Sequence, residues 1–170
     1  MNLSENNIII DKLMPIIGSK IYSIGTEENG NLWIRFINQQ GNIYILIMQS
    51  FFRICDSETI LITDLDKYEP SDVFKSSVHY DEDNYDFKTP NSSILHEWID
   101  INEEKLISNL EVKDIKLNVL GDLEIKFNSD ISLTVYLETT SDQECWYFLE
   151  ESIDKTQLLI VYGMEVFFDV

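Results

Sequence analysis

The 170-residue chain carries 31 Asp and Glu against 12 Lys and Arg, a formal net charge of −19, with 44% apolar residues and no alanine. A field of that sign repels phosphate backbones and anionic membrane surfaces and speeds encounter with basic partners, which argues against nucleic-acid or membrane binding. The length suits a single domain over residues 1–170, and abundant β-branched and aromatic residues without the best helix former lean it toward sheet.

The N-terminus has no basic leader and only a three-residue apolar run, Ile8–Ile10, so no signal peptide is expected. No apolar stretch approaches the roughly 20 residues of a membrane helix. With Cys55 and Cys145 as the only cysteines there is no disulfide framework. A reducing cytoplasm is the simplest compartment, and both thiols read as core residues.

A first helix is expected from Glu5 through Ile17, ended by Pro15 or Gly18. From there the period is two. Leu32, Ile34 and Phe36 point one way and Trp33, Arg35 and Ile37 the other, the pattern of a half-buried strand, with turn signals at Glu28–Asn31 and Gln40–Asn42. Trp33 therefore stands on the face opposite the core residues, so either that face is covered or Trp33 serves a partner. Residues 64–92 change character: Asp64, Asp66, Glu69, Asp72, Asp81, Glu82, Asp83 and Asp86 alternate with Tyr68, Phe74, Tyr80, Tyr85 and Phe87, between Pro70 and Pro90. The aromatics argue against simple disorder. Short helices follow at Ser92–Trp98 and Asn102–Leu110, the latter with Asn102 as N-cap ahead of Glu103 and Glu104.

The strand pattern then returns. Asn31-Leu32-Trp33-Ile34-Arg35-Phe36 matches Asp122-Leu123-Glu124-Ile125-Lys126-Phe127. Upstream, Lys20 and Ile21 match Lys113 and Ile115. Downstream, Ile43, Ile45 and Ile47 match Leu133, Val135 and Leu137; Phe51–Ile54 match Cys145–Phe148; and Ile60–Ile62 match Leu158–Ile160. The fold expected is α+β and predominantly antiparallel β: two diverged copies of a β-meander, at about 11–63 and 102–168, each with a short lead-in helix and about four hairpin-joined strands. A lone meander leaves its apolar face bare, so the two should cover each other in a sandwich or barrel.

No constellation names a reaction. His79 and His96 lack ligand spacing with each other or either cysteine, Asp81-Glu82-Asp83-Asn84 lacks the register of a calcium loop, and the six glycines form no phosphate-cradling motif. No nucleophile elbow occurs, and carboxylates are too abundant to mark acid–base work. Neither catalysis nor a metal or cofactor is expected. Trp98 and Trp146 read as core, Trp146 standing where Phe52 stands in the other copy. The acidic–aromatic connection is the candidate site, with Asp81, Glu82, Asp83 and Asp86 steering a basic protein and Tyr80 and Tyr85 anchoring it.

The duplicated Leu-x-Ile-Arg/Lys-Phe strand, followed by an alternating and then an aromatic-rich strand in a small acidic protein, resembles bacterial immunity proteins encoded beside polymorphic toxins. That resemblance implies a non-catalytic inhibitor that occludes the active site of a basic toxin. Two other classes remain open: a homo-oligomeric interaction module, and a ligand-binding or enzymatic β-barrel with an apolar pocket between its halves.

Overall fold

The computed structural model describes residues 3–104, 107–138, 141–151, 157–163 and 165–169. Helix α1 (Leu3–Leu13) gives way to a 3₁₀ turn, Met14–Ile16, where Pro15 sits early enough that its missing N–H costs nothing. Strands β1 (Lys20–Thr26), β2 (Leu32–Ile37), β3 (Ile43–Met48), β4 (Phe52–Cys55) and β5 (Ile60–Thr63) follow. The connection contains α2 (Asp72–Lys75) and ends in α3 (Ile94–Asn102). The second half supplies β6 (Val112–Leu117), β7 (Leu123–Phe127), β8 (Ser132–Val135), β9 (Glu144–Glu151), β10 (Gln157–Tyr162) and β11 (Val166–Asp169).

These strands form two antiparallel sheets packed as an α+β, β-rich sandwich, one ordered β1-β2-β3-β9-β10-β11 and the other β5-β4-β8-β7-β6. Each half gives strands to both sheets, so the halves interlock and neither forms a sheet of its own. After Met48 the chain leaves the first sheet at Gln49 and Ser50, whose N–H groups both donate to the Cys145 carbonyl (2.9 and 2.8 Å), and it enters the second at Phe52. The crossing joins the halves by the ladders β3–β9 and β4–β8 as well as by face packing.

Two hairpin ladders, one in each sheet, share a register. Leu32 and Ile34 face Met48 and Leu46, and Leu123 and Ile125 face Val135 and Leu133. Across the seams Met48 pairs with Trp146 and Val135 with Phe52. Each first strand carries a bulge, between Ile21 and Ser23 and between Val112 and Asp114. The turns that follow close alike, around Gly30 and Gly121 at φ +81° and +97°, backbone that a side chain would strain. Where the halves meet, Ile21 N–H donates to the Leu110 carbonyl (3.1 Å) and Val112 N–H to that of Ser19 (2.9 Å), on either side of a Lys20–Glu111 bridge.

Three of the sequence matches shift accordingly. Leu46 and Met48, not the Ile43–Ile45–Ile47 series, stand where Leu133 and Val135 stand; Ile21 and Ile24 correspond to Val112 and Ile115; and Ile62 corresponds to Leu159. Unequal hairpins and the bulges cause the slips. Asn102 is also reassigned. It is the last residue of α3, which starts from a Ser93 capping box, and its side-chain amide donates to the Trp98 carbonyl (2.8 Å), so it ends a helix instead of opening one.

One core cluster runs through both halves, from Ile9, Leu13 and Ile16 through Leu32, Phe36, Leu46, Phe52 and Leu95 to Leu123, Leu133, Trp146 and Val161. The helices close the sides of the sandwich: α3 packs against β1 and β5, while α1 packs against β6 and comes beside Leu158 and Leu159 of β10. Cys145 is buried in the core, but Cys55 is only half-buried, on the outer face of β4, because it falls on the opposite parity to Phe52 and Ile54. Among the described residues, no helix is long and apolar enough to cross a membrane.

Candidate functional site

The acidic connection is built and anchored. At its start the Thr63 and Asp66 side chains form a capping box, and a buried Lys67 Nζ donates to Asp64 Oδ1 at 2.7 Å. At its end Ser71 N–H donates to the Ser92 carbonyl (2.8 Å) and Ile94 N–H to that of Glu69 (2.9 Å), which closes the segment into a loop. Ser71 caps α2 through Phe74 N–H (3.1 Å). Aromatics fill the interior: Tyr68 meets Phe87 edge-on (4.9 Å between centroids), and Phe74 takes Tyr80 and Tyr85 at 5.9 and 6.0 Å.

Tyr80 and Tyr85 are therefore half-buried around Phe74, and burial raises the Tyr85 phenol above its ordinary pKa. Asp81 caps the turn Glu82–Asn84, accepting from Asp83 N–H (3.1 Å) and the Asn84 amide (2.7 Å). Asp86 accepts from Lys88 N–H (3.0 Å). Glu82, Asp83 and Asp86 are exposed, and none forms an ion pair among the described residues. Five of the six residues expected to form a site thus lie within one turn and its flanks, and Asp86 follows immediately.

His96 ties the end of this connection to the sandwich. Its Nδ1 lies 2.8 Å from Ser93 Oγ and accepts from Ser93 N–H (3.4 Å), while Nε2 lies 3.0 Å from Thr26 Oγ1. Those contacts suit a neutral ring protonated on Nε2. Burial holds its pKa below the ordinary histidine value, against the pull of Asp100. His79 is exposed, and no group of three His, Cys, Asp or Glu among the described residues could hold a metal.

The face of β2 that carries Trp33 is the outer face of the six-stranded sheet. Its indole lies so close over Gly25 that a Cβ there would come within 2.5 Å of the ring. The Arg35 guanidinium stacks 4.8 Å from the ring centroid. On the same face the Tyr147 hydroxyl donates to Glu27 Oε1 at 3.0 Å. Burial first, then Glu27 and Glu144, push the Tyr147 phenol up to about 12. The strand alternation already put Trp33 on this face. That Ile47, Tyr147 and Ile160 join it was not legible, because it depends on pairing strands from different halves.

A cavity of about 240 Å³ opens beside α1, lined by Asp11, Lys12, Pro15, Glu150 and the stacked rings of Tyr44 and Phe148, 5.7 Å apart. Its volume falls below the range of about 300–1,000 Å³ common to small-molecule sites. No protein-family model matches this chain, and no similar curated protein or solved structure was found.

Proposed function

We propose that this chain is a non-catalytic, acidic protein-binding domain whose partner is a basic protein. Under this reading it acts as an immunity protein, covering the active site of a cognate toxin. The observation that carries the proposal is the connection: Glu82, Asp83 and Asp86 are exposed without cationic partners among the described residues, on a loop clamped at both ends and filled with aromatics. Ordered carboxylates that need no rearrangement on binding speed association with a cationic surface.

The test is complex formation with a basic protein encoded beside this one, by size exclusion and calorimetry. A stable complex is expected, with association slowed when Glu82, Asp83 and Asp86 become Gln, Asn and Asn. Asp81 is left unchanged because it caps the turn. No complex with any such neighbour removes the reading, and unchanged association moves the steering charges elsewhere.

A further inference from the structure

We infer that the outer face of the six-stranded sheet is a docking surface for a basic protein with an apolar centre, seated on Trp33, Tyr147 and Ile160. This rests on the protein-binding function proposed above and adds the surface that supplies the contact area.

An antiparallel sandwich ordinarily turns polar side chains outward. The five-stranded sheet obeys: Lys116, Glu124, Thr134, Arg53 and Thr63 form one row across it, beside the ion pairs Lys116–Asp114 and Lys126–Glu124. At the corresponding register of the six-stranded sheet the row reads Gly25, Trp33, Ile47, Tyr147 and Ile160, continued by Phe167 on β11. The next row carries Arg35, Ile45, Leu149 and Leu158. Corresponding positions on the same scaffold are thus charged or hydroxylated on one side and apolar or aromatic on the other.

The apolar row lies outside the core cluster between the sheets. Tyr44, Leu46 and Met48 of β3 belong to the core cluster, whereas Ile45 and Ile47 do not. Each of these two is buried, at 8% exposed, while Trp33, Tyr147, Leu149, Leu158 and Ile160 are half-buried and Phe167 is 52% exposed. Neither long helix lies over the face, since α1 and α3 close the sides. A contiguous, half-buried apolar face that neither helix covers among the described residues marks an interaction site. Trp33 is also held in place, with Gly25 beneath its ring and Arg35 stacked against it, which makes it a preorganised aromatic anchor.

Charge selects the occupant. Glu27 and Glu144 both act on Tyr147, so carboxylates flank the apolar row. A second copy would bring a chain of net charge −19 against another of the same charge. A protein with an apolar centre and a cationic rim satisfies both features.

The test titrates the ¹⁵N-labelled full chain with two synthetic peptides of equal length and charge, Lys-Lys-Phe-Leu-Phe-Lys-Lys and Lys-Lys-Ser-Ser-Ser-Lys-Lys. The Phe-centred peptide should bind about tenfold more tightly or better. It should shift amides of residues 33, 47, 147 and 160, and lose that advantage in Ile47→Lys and in Ile160→Ser but not in Thr134→Lys on the other sheet. The amide spectrum of each variant reports whether it is folded. Equal affinities with shifts confined to residues 81–86 overturn the docking face while leaving the protein-binding reading standing. No binding of either peptide at low salt overturns both. Self-association of the free chain through residues 33, 47 and 147 overturns the basic occupant in favour of a second copy.

Discussion

Replacing Lys67 by Met tests whether the acidic connection is anchored by a buried charge pair. Lys67 Nζ lies 2.7 Å from Asp64 Oδ1, and their side chains are only 7% and 12% exposed. The ammonium also sits 5.0 Å from the Tyr68 ring centroid, and the Lys67 stem lies 3.5 Å from where a Cβ on Gly30 would be. Methionine keeps the stem but leaves the Asp64 carboxylate buried and uncompensated, at a cost of about 3–5 kcal/mol. In a chain of this size each kcal/mol moves Tm by about 2–4 °C, so Lys67→Met should lower it by about 6–20 °C. Asp64→Asn combined with Lys67→Met removes both charges and should recover most of that loss. Thermal unfolding followed by tryptophan fluorescence measures both. A loss under about 1 kcal/mol for the single change, or no recovery in the double, would refute the reasoning, because it would mean that water reaches the pair.

Gly25→Ala should push the Trp33 ring off β1 and change its emission, at a cost of about 1–3 kcal/mol in chemical denaturation; an unaltered spectrum would contradict the close approach. Trp146→Phe should cost no more than about 1.5 kcal/mol, since Phe52 fills the corresponding place and the indole N–H is buried without a partner among the described residues, whereas Trp146→Ala should cost about 3–5 kcal/mol. The pKa of His96 is depressed in the folded state. Its contribution is therefore complete above the ordinary value of 6.5 and lost as pH falls below it, and comparing stability–pH curves with those of His96→Asn should isolate that loss. For Tyr147 the sign is reversed: its pKa is raised from 10.0 to about 12, so stability is lost as pH rises through that window. Ultraviolet titration against Tyr147→Phe should show one late phenol, brought down by Glu27→Gln.

What could be read in the sequence is what depends on neighbours in the chain. Alternation over Leu32–Phe36 and Leu123–Phe127 identified strands and their inward faces, while the first helix, expected to run to Ile17 and end at Pro15 or Gly18, stops at Leu13 and gives way to the 3₁₀ turn that holds Pro15. Pairing between the halves was not legible. Nothing local indicates that the chain crosses sheets at Gln49 and Ser50, so two meanders were expected where strands are shared. Bulges near Ser23 and Asp114 displace one residue each, and matching by apolar character alone slides past them. Asn102 carries a capping residue's chemistry, but Ser93 and His96 had already started the helix that it ends. The proposal that the halves diverged from one unit rests on their matching registers. The connection's composition announced a distinct segment, though not that Tyr80 and Tyr85 would turn inward onto Phe74. The outer face of the six-stranded sheet stayed hidden because its apolar row is assembled from strands of both halves.

The most direct test is the association rate between this protein and a basic protein encoded beside it, measured by stopped flow as ionic strength rises from about 0.01 to about 0.1 M, over which screening shortens from about 30 to about 10 Å. An acidic steering surface predicts a rate that falls about tenfold or more. A rate independent of salt, or no complex with any such protein, would contradict it.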